Sequence, residues 1–259
     1  MNSWSLQGKT AVVCGASGGI GEASAKLLAE RGARILALAR TEEKLKALVS
    51  SLPGEGHKSF AIDLANTDKL QTDILPLLQK ESVQILINNT GGPKGGPLHE
   101  TSITEFEIPL RAHLIASHLL VQTLLPSMKA SQYGRVINVI STSVKNPIPG
   151  LGVSNTIRGA MANWSKTLAG ELAPFGVTVN NVLPGYIRTD RLRSLMGSSA
   201  TSTRTSVEEV EESWKKTIPA GRIGEPQEMA EAIAFLASPA ASYINGINLP
   251  VDGGRTPSL

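Results

Sequence analysis

Short runs of aliphatic residues alternate with longer segments of helical periodicity from the amino terminus to about residue 185. Six of these runs are short and almost entirely apolar, as strands buried on both faces are, and a seventh lies near the carboxyl terminus: 10–14, 34–39, 59–62, 85–88, 134–140, 178–182 and 247–251. Segments 21–31 and 41–51 carry apolar residues at helical spacing. This alternation predicts an α/β fold, with a parallel sheet of about seven strands and helices on both of its faces.

One segment, 191–217, interrupts the alternation. Small polar residues fill positions 197–203, and a glutamate-rich helical pattern resumes over 207–216. We predict that residues 190–217 form a mobile lid over a substrate cleft, within a single domain that covers residues 1–259. A linker between two domains is the alternative, although few residues remain after it to build a second core.

The composition narrows the classes of function. Its 41% hydrophobic and 18% charged residues are ordinary for a globular protein, and a formal charge of +3 from dispersed Lys and Arg gives no basic stripe for nucleic acid. The single Cys14 rules out an internal disulfide, and four scattered histidines form no metal-ligand cluster. Residues 1–10 lack the apolar core of a signal peptide, and no uninterrupted apolar run of about 18 residues follows. We therefore predict a cytoplasmic protein with no metal, nucleic-acid or membrane partner.

A glycine-rich turn follows the first predicted strand and opens the first predicted helix. Glycines at such a turn let the chain reverse tightly, and they let backbone N–H groups and the helix amino terminus approach a pyrophosphate. The sequence therefore predicts a dinucleotide site on the residues of this turn: Gly15, Ser17, Gly18, Gly19, Ile20 and Gly21. A strand-to-helix turn without a ligand is the alternative.

The glycine spacing Gly-x-x-x-Gly-x-Gly resembles that of the short-chain dehydrogenase/reductase family. Further motifs stand in the order of that family: Asp63-Leu64, Asn88-Asn89-Thr90-Gly91, Pro184-Gly185 with Thr189, Ser242-Tyr243-Ile244-Asn245-Gly246, and Val251-Asp252-Gly253-Gly254. The resemblance covers residues 6–254 and implies a Rossmann-type doubly wound fold, a nicotinamide dinucleotide cofactor, a small-molecule substrate and a homotetramer. It also implies cofactor contacts at these motifs: Asp63, Leu64, Asn89, Gly91, Pro184, Gly185, Ile187 and Thr189.

The end of the second strand bears on the choice between NADP and NAD. An NAD-preferring relative would carry an acidic residue there to accept the ribose hydroxyls, whereas this chain has Ala39-Arg40. Arg40 supplies a planar, permanently charged set of donors that suits a 2′-phosphate, so we predict NADP, with NAD less favoured. An exposed arginine that only ends the strand is the alternative, because Gly18 stands where many NADP-preferring relatives have a second basic residue.

The catalytic residues of the family are largely replaced. Its members use an Asn, a Ser, and a Tyr followed four residues later by Lys. The resemblance places these positions on His113, Ser141, Ser154 and Arg158, so only the Ser is kept. The aliphatic hydroxyl of Ser154 is a far weaker acid than a phenol. Arg158 keeps its proton at accessible pH, although it can still donate to the nicotinamide ribose.

A replacement proton donor is therefore expected near the cleft. Lys145, four residues after Ser141, is the first candidate, followed by His113 and by Tyr186 beside Pro184-Gly185. A solvated lysine and a structural histidine are the alternatives. The sequence predicts an NADP(H)-dependent oxidoreductase acting on a small carbonyl or alcohol with an atypical catalytic set. A catalytically inactive NADP(H)-binding sensor or assembly subunit is the alternative function.

Overall fold

Seven parallel strands form one sheet in the computed structural model, which describes residues 3–258. They are β1 (Thr10–Cys14), β2 (Arg34–Ala39), β3 (Lys58–Ala61), β4 (Ile85–Asn88), β5 (Gly134–Val139), β6 (Val177–Pro184) and β7 (Asn248–Val251). Their order across the sheet is β3-β2-β1-β4-β5-β6-β7. The chain therefore changes its direction of progress between β1 and β4. In sheets of this kind a ligand cleft lies at that point, outside the carboxyl ends of the strands.

Helices cover both faces of the sheet, as the sequence predicts. They are α1 (Gly19–Glu30), α2 (Glu42–Ser51), α3 (67–78), α4 (Ile103–Ala130), α5 (Gly152–Leu172), α6 (Asp190–Thr203), α7 (Val207–Lys215) and α8 (Pro226–Ala237). One core layer lies under α1, α2 and α8, and the other lies under α3, α4 and α5. Neighbouring residues of β1 point to opposite layers, since Val13 packs in the first and Val12 in the second.

A chain of asparagine side chains crosses four strands of the sheet. Asn88, Asn138, Asn181 and Asn248 stand at paired positions of β4, β5, β6 and β7. Hydrogen bonds of 2.8, 3.1 and 2.8 Å join their amide groups in that order. Asn138 also donates to the Ser165 hydroxyl on α5, at 2.8 Å. These hydrogen-bonded asparagines thus fix α5 against the strands whose ends border the cleft.

The structure corrects the interpretation of residues 197–203 as a break in the helical pattern. They belong to α6, although they are small and polar. Leu192, Met196 and Ala200 recur every four residues and form a small core with Val210 and Ile223. That spacing gives α6 an apolar stripe to bury, which favours a helix whatever its exposed face carries.

Helix α5 begins at Gly152, and Ser154 and Arg158 therefore lie on its first two turns. The observed strands agree with the predicted ones to within two residues at each end. The largest of these differences is at the end of β6, which runs on to Pro184.

Helix α4 has the length of a membrane span, with 28 residues, and an 18-residue window within it has a mean hydropathy of 1.2. The helix has no uninterrupted apolar run of that length, because polar residues such as Arg111 and His113 divide the pattern. Leu120, Leu124 and Met128 pack one face of α4 into the second core layer. Core helices of globular proteins commonly combine this length and composition, so the feature alone is weak evidence for a membrane.

Candidate functional site

The glycine turn after β1 packs against the end of β4. Gly15 has a φ of +63°, and a Cβ there would lie 2.6 Å from the carbonyl oxygen of Asn89. A Cβ on Gly21 would lie 2.2 Å from the carbonyl oxygen of Gly15. The amide Nδ2 of Asn89 donates to the Cys14 carbonyl at 3.3 Å. Both glycines are therefore required by close backbone contacts, and Asn89 holds β1 and β4 together at the cleft.

The amino terminus of α1 opens onto unfilled space. Gly18 precedes the helix, and no side chain caps the first backbone N–H groups. A Cβ on Gly18 or on Gly91 would meet no atom within 4 Å. Ser17 and Ile20 are partly exposed beside this opening. Uncapped N–H groups facing free space fit a pyrophosphate, which the helix dipole also favours.

Arg40 and Asp63 follow neighbouring strands at the same edge of the sheet. The backbone N–H of Ile62 donates to the Ala39 carbonyl at 2.7 Å, which aligns the ends of β2 and β3. Arg40 is exposed and forms no ion pair with any residue in the described range 3–258. Asp63 is exposed and accepts the N–H of Ala65 at 3.0 Å, while Leu64 is buried. An exposed guanidinium at this place fits a ribose phosphate.

The turn after β6 brings the start of α6 to the glycine turn. Gly185 donates its N–H to the Val251 carbonyl at 3.0 Å, and Ile187 is buried. The Thr189 hydroxyl accepts the N–H of Leu192 at 3.2 Å and so caps α6. A Cβ on Gly19 would lie 3.0 Å from the Thr189 methyl group. The cofactor-contacting residues predicted after β6 thus line the same cleft as those predicted to hold the pyrophosphate.

Ser141 and Arg158 are brought together at the end of β5. The Ser141 hydroxyl accepts the N–H of Ser143 at 3.0 Å, where it caps a short 3₁₀ turn. Arg158 is 7% exposed, and its Nη1 donates to the Val139 carbonyl at 2.8 Å. Ser154 is partly buried on α5, and its hydroxyl makes no hydrogen bond within the described part of the chain. Ser141 and Arg158 therefore border one region, and Ser154 lies one helical turn before Arg158 on α5.

Arg158 is a buried cation without a carboxylate partner among residues 3–258. Burial lowers the pKa of its guanidinium to about 10, and the nearby Arg191 cation contributes to that decrease. Arg158 nevertheless keeps its proton at neutral pH. It therefore places a fixed positive charge beside the end of β5.

His113 lies deep in the protein, with 3% of its surface exposed. Burial, with a smaller contribution from the Arg158 cation, holds the pKa of His113 well below its ordinary value of 6.5. Its Nδ1 and the Thr90 hydroxyl form a short hydrogen bond. The imidazole is therefore neutral at pH 7, and it contacts the backbone of Gly91 as well as the Thr90 hydroxyl.

The two other candidate proton donors have different surroundings. Lys145 ends the 3₁₀ turn that Ser141 caps and is partly buried. The Tyr186 ring stacks on Trp214 of α7 with 4.5 Å between ring centres, and its hydroxyl accepts a hydrogen bond from Arg255 at 3.0 Å. Tyr186 therefore joins α7 to the carboxyl-terminal segment, whereas Lys145 shares the rim of the cleft with Ser141.

The sequence interpretation missed Arg191, on the first turn of α6. Its Nη2 donates to the Pro93 carbonyl, and its guanidinium lies 3.3 Å from the place of a Cβ on Gly92. Arg191 is partly buried, and burial lowers its pKa. Its position two residues after Thr189 could have indicated that Arg191 lies at the cleft. Its contact with Pro93 could not be predicted, because the two residues are 98 positions apart in the sequence.

A separate cavity of about 510 Å³ lies at the amino ends of β1 and β2, lined in part by Lys9, Arg34 and His57. This is the opposite end of the sheet from the glycine turn. The cavity is therefore not part of the candidate site, despite its volume. The described residues 3–258 contain no group of His, Cys, Asp or Glu side chains able to hold a metal ion.

Comparison with known proteins is consistent with this geometry. A family model described as enoyl-(acyl carrier protein) reductase matches residues 15–256. The 3-oxoacyl-[acyl-carrier-protein] reductase FabG of Vibrio cholerae is 37% identical over 253 residues, covering 96% of this chain and 98% of the relative.

Two solved structures share the fold over nearly their whole length. L-Sorbose reductase from Gluconobacter frateurii, in complex with NADPH and L-sorbose, has a TM-score of 0.92 at 27% identity, covering 99% of this chain and 100% of the other. A Beutenbergia cavernae protein, assigned as an NAD(P)-dependent gluconate 5-dehydrogenase with bound NADP, has a TM-score of 0.89 at 31% identity, with the same coverage.

Proposed function

This chain belongs to the short-chain dehydrogenase/reductase family, and we propose that it is an NADP(H)-dependent oxidoreductase that acts on a small carbonyl or alcohol with an atypical catalytic set. The proposal depends chiefly on the position of Arg158. This buried cation is fixed to β5 by the Val139 carbonyl, beside Ser141 and in the cleft that begins at the glycine turn. A fixed positive charge at that place can stabilise a carbonyl oxygen as negative charge develops on it.

Several residues support NADP as the cofactor, with NAD less favoured. Gly18 and Gly91 face free space beside the uncapped start of α1, and Arg40 is exposed at the end of β2. The sorbose reductase and gluconate dehydrogenase structures were determined with NADPH and NADP. When bound, the nicotinamide supplies or accepts the hydride, while the protein orients the reactants.

The catalytic residues would divide the work differently from the family pattern. The Ser141 hydroxyl donates a hydrogen bond to the substrate carbonyl, and Arg158 stabilises the developing charge and donates to the nicotinamide ribose. Ser154 positions the substrate and supplies no proton, because an aliphatic hydroxyl is too weak an acid. His113 is neutral and buried, so it supports Thr90 and Arg158 rather than acting as the acid. Lys145 is our first candidate for the proton donor.

A second function is favoured by the absence of a phenol from α5. If neither Lys145 nor solvent replaces it, the chain would bind NADP(H) without turnover, as a sensor or an assembly subunit. The test combines NADPH fluorescence titration with NADPH absorbance in the presence of simple ketones, 3-oxoacyl thioesters and sugars. Binding with substrate-dependent oxidation supports the oxidoreductase. Tight binding without oxidation of NADPH by any substrate supports the second function.

Other features of the organisation remain proposals. The stacked Tyr186 and Trp214 join α7 to the turn after β6, so we propose that residues 190–217 act as a substrate lid on the single domain. A cytoplasmic homotetramer follows from the family resemblance. Ile108 and Ile115, 51% and 40% exposed on α4, provide apolar surface for such an assembly. Light scattering at micromolar concentration would test it.

A further inference from the structure

The cleft contains two arginines without acidic partners among residues 3–258, and Arg191 lies near enough to Arg158 for its charge to lower the pKa of Arg158. Arg158 donates to the Val139 carbonyl, and Arg191 donates to the Pro93 carbonyl. Neither forms an ion pair with any carboxylate among residues 3–258. Within residues 3–258 their acceptors are neutral backbone oxygens, which leaves both positive charges uncompensated. Like charges in a partly buried region repel each other and favour an anion between them.

Arg191 is held in place from three sides. Thr189, two residues earlier, caps α6 and contacts Gly19, whereas Leu192 is buried in the small core of the lid. The Nη2 group contacts the loop after β4 through Pro93. The Nε and Nη1 groups make no hydrogen bond within residues 3–258, so the guanidinium retains donors for a ligand. A planar guanidinium with free donors matches the geometry of a carboxylate.

The topology separates this pair from the cofactor phosphates. Arg40 and Asp63 follow β2 and β3, on one side of the change in strand order. Arg158 is fixed to β5, and Arg191 follows β6 and contacts the loop after β4, on the other side. The pyrophosphate position is served by the start of α1. Thr189, two residues before Arg191, contacts Gly19 at the start of α1, so the NADPH dissociation constant must distinguish a substrate anion between Arg158 and Arg191 from the pyrophosphate.

We propose that the substrate is a small oxo acid, or the corresponding hydroxy acid, whose carboxylate binds Arg191 while its carbonyl lies beside Ser141 and Arg158. The assignment of the substrate class rests on the proposed oxidoreductase function. In the reducing direction the oxo carbon gains a hydride, its oxygen gains a proton, and NADPH becomes NADP⁺. The carboxylate is unchanged and acts only as a handle.

The turnover test uses matched pairs of substrates: acetoacetate with methyl acetoacetate, and 2-oxobutanoate with methyl 2-oxobutanoate. We expect the wild type to reduce at least one acid with a kcat/KM well above that of its ester. Arg191→Gln should lower kcat/KM for that acid by about tenfold to a hundredfold, mainly through KM, because a charge-assisted contact is lost. The ester should be unaffected, and Arg191→Lys should restore part of the preference for the acid.

Arg193→Gln is the matched control. Arg193 lies on the same turn of α6, is 79% exposed and pairs only with Asp190. The Arg193→Gln substitution should leave unchanged both the ratio of kcat/KM for the acid to that for its ester and the dissociation constant of NADPH. Arg191→Gln should also leave NADPH binding unchanged. An increase in the NADPH dissociation constant comparable to the loss of kcat/KM would assign Arg191 to the cofactor and overturn the inference.

A binding experiment tests the carboxylate site without turnover. Butanoate and butanamide are titrated into the NADPH complex by calorimetry. Butanoate should bind at least about tenfold more tightly than butanamide in the wild type, and this difference should vanish in Arg191→Gln. If esters are reduced with the same kcat/KM as acids and Arg191→Gln has no effect, the oxo-acid inference is refuted, whereas the proposed oxidoreductase function still holds. Butanoate binding through Arg191 without any turnover would instead refute the proposed function.

Discussion

Arg158 on α5 donates a hydrogen bond of 2.8 Å to the carbonyl oxygen of Val139, near the end of β5. The Val139 carbonyl that accepts this bond lies two residues before Ser141 in the chain. Arg158 is almost completely buried there. We propose that this fixed cation stands where relatives of the family carry a lysine that assists a tyrosine, and it cannot take part in a proton relay at neutral pH. The consequences can be tested at individual side chains.

Arg158→Met should separate stability from activity. The substitution removes a hydrogen bond and also a buried charge without a carboxylate partner, so we expect the free energy of unfolding to change by less than about 1.5 kcal/mol. Turnover should fall by about 10² to 10³ through loss of electrostatic stabilisation. Urea unfolding and NADPH oxidation measure the two effects. Full activity in a folded variant would show that Arg158 has no catalytic role.

Arg40→Ala should reduce the preference for NADPH over NADH. The exposed guanidinium has no ion pair among residues 3–258 and follows β2, beside the expected ribose phosphate. Loss of its charge-assisted hydrogen bonds should cost about 1.5 to 3 kcal/mol of NADPH binding and leave NADH binding nearly unchanged. Fluorescence titration of both cofactors measures this. Lys44→Ala, on α2, is a control that should not alter the preference.

Lys145→Ala should lower kcat on the true substrate if Lys145 donates the proton, while the NADPH dissociation constant stays nearly constant. General acid catalysis typically contributes about 10² to 10⁴-fold, so the loss should be evident. Burst and steady-state kinetics distinguish this from a defect in substrate binding. Indifference of kcat to Lys145→Ala would leave solvent as the proton source.

The double substitution Ser154→Tyr with Arg158→Lys should raise activity on ordinary ketones. It places a phenol and an ammonium group four residues apart on the first turns of α5, in the register of the family pair. Because the wild type lacks this acid, its rate on the same ketones should be far below the value of about 10 s⁻¹ that is typical of enzymes. Each single substitution serves as a control. A wild type that already reduces ketones at the typical rate would contradict our account of the site.

His113 should make stability depend on pH. Its pKa is held well below 6.5 in the folded protein, whereas the unfolded chain binds a proton at about that value. Stability is therefore complete above pH 6.5 and decreases as the pH falls below it, by up to about 1.4 kcal/mol per pH unit for this group. Urea unfolding between about pH 5 and 7 should show a shallower slope in His113→Asn than in the wild type. Parallel slopes would mean that other groups cause the acid sensitivity.

The sequence by itself determined the order of elements and the turn that the cofactor requires. Apolar runs such as 10–14 and 34–39 identify buried strands, because burial on both faces demands apolar side chains at every position. Gly21 is readable for a similar reason, since a side chain there would meet the Gly15 carbonyl within the same turn, whereas the atoms that exclude a side chain at Gly15 belong to the distant Asn89. Ser154 and Arg158, which we propose stand in place of the family tyrosine and lysine, can also be located from the sequence.

The tertiary structure decided which distant residues share the cleft. The contact of Arg191 with Pro93 joins elements 98 residues apart, and no local pattern encodes it. The helical conformation of residues 197–203 depends on packing of Leu192, Met196 and Ala200 against Val210 and Ile223 rather than on local propensity. The pKa of His113 likewise depends on burial and on the nearby Arg158 cation, and the pKa of Arg158 depends on burial and on the nearby Arg191 cation. Periodicity and backbone constraints act over a few residues and can be read from sequence, whereas burial and electrostatic fields exist only after the chain has folded.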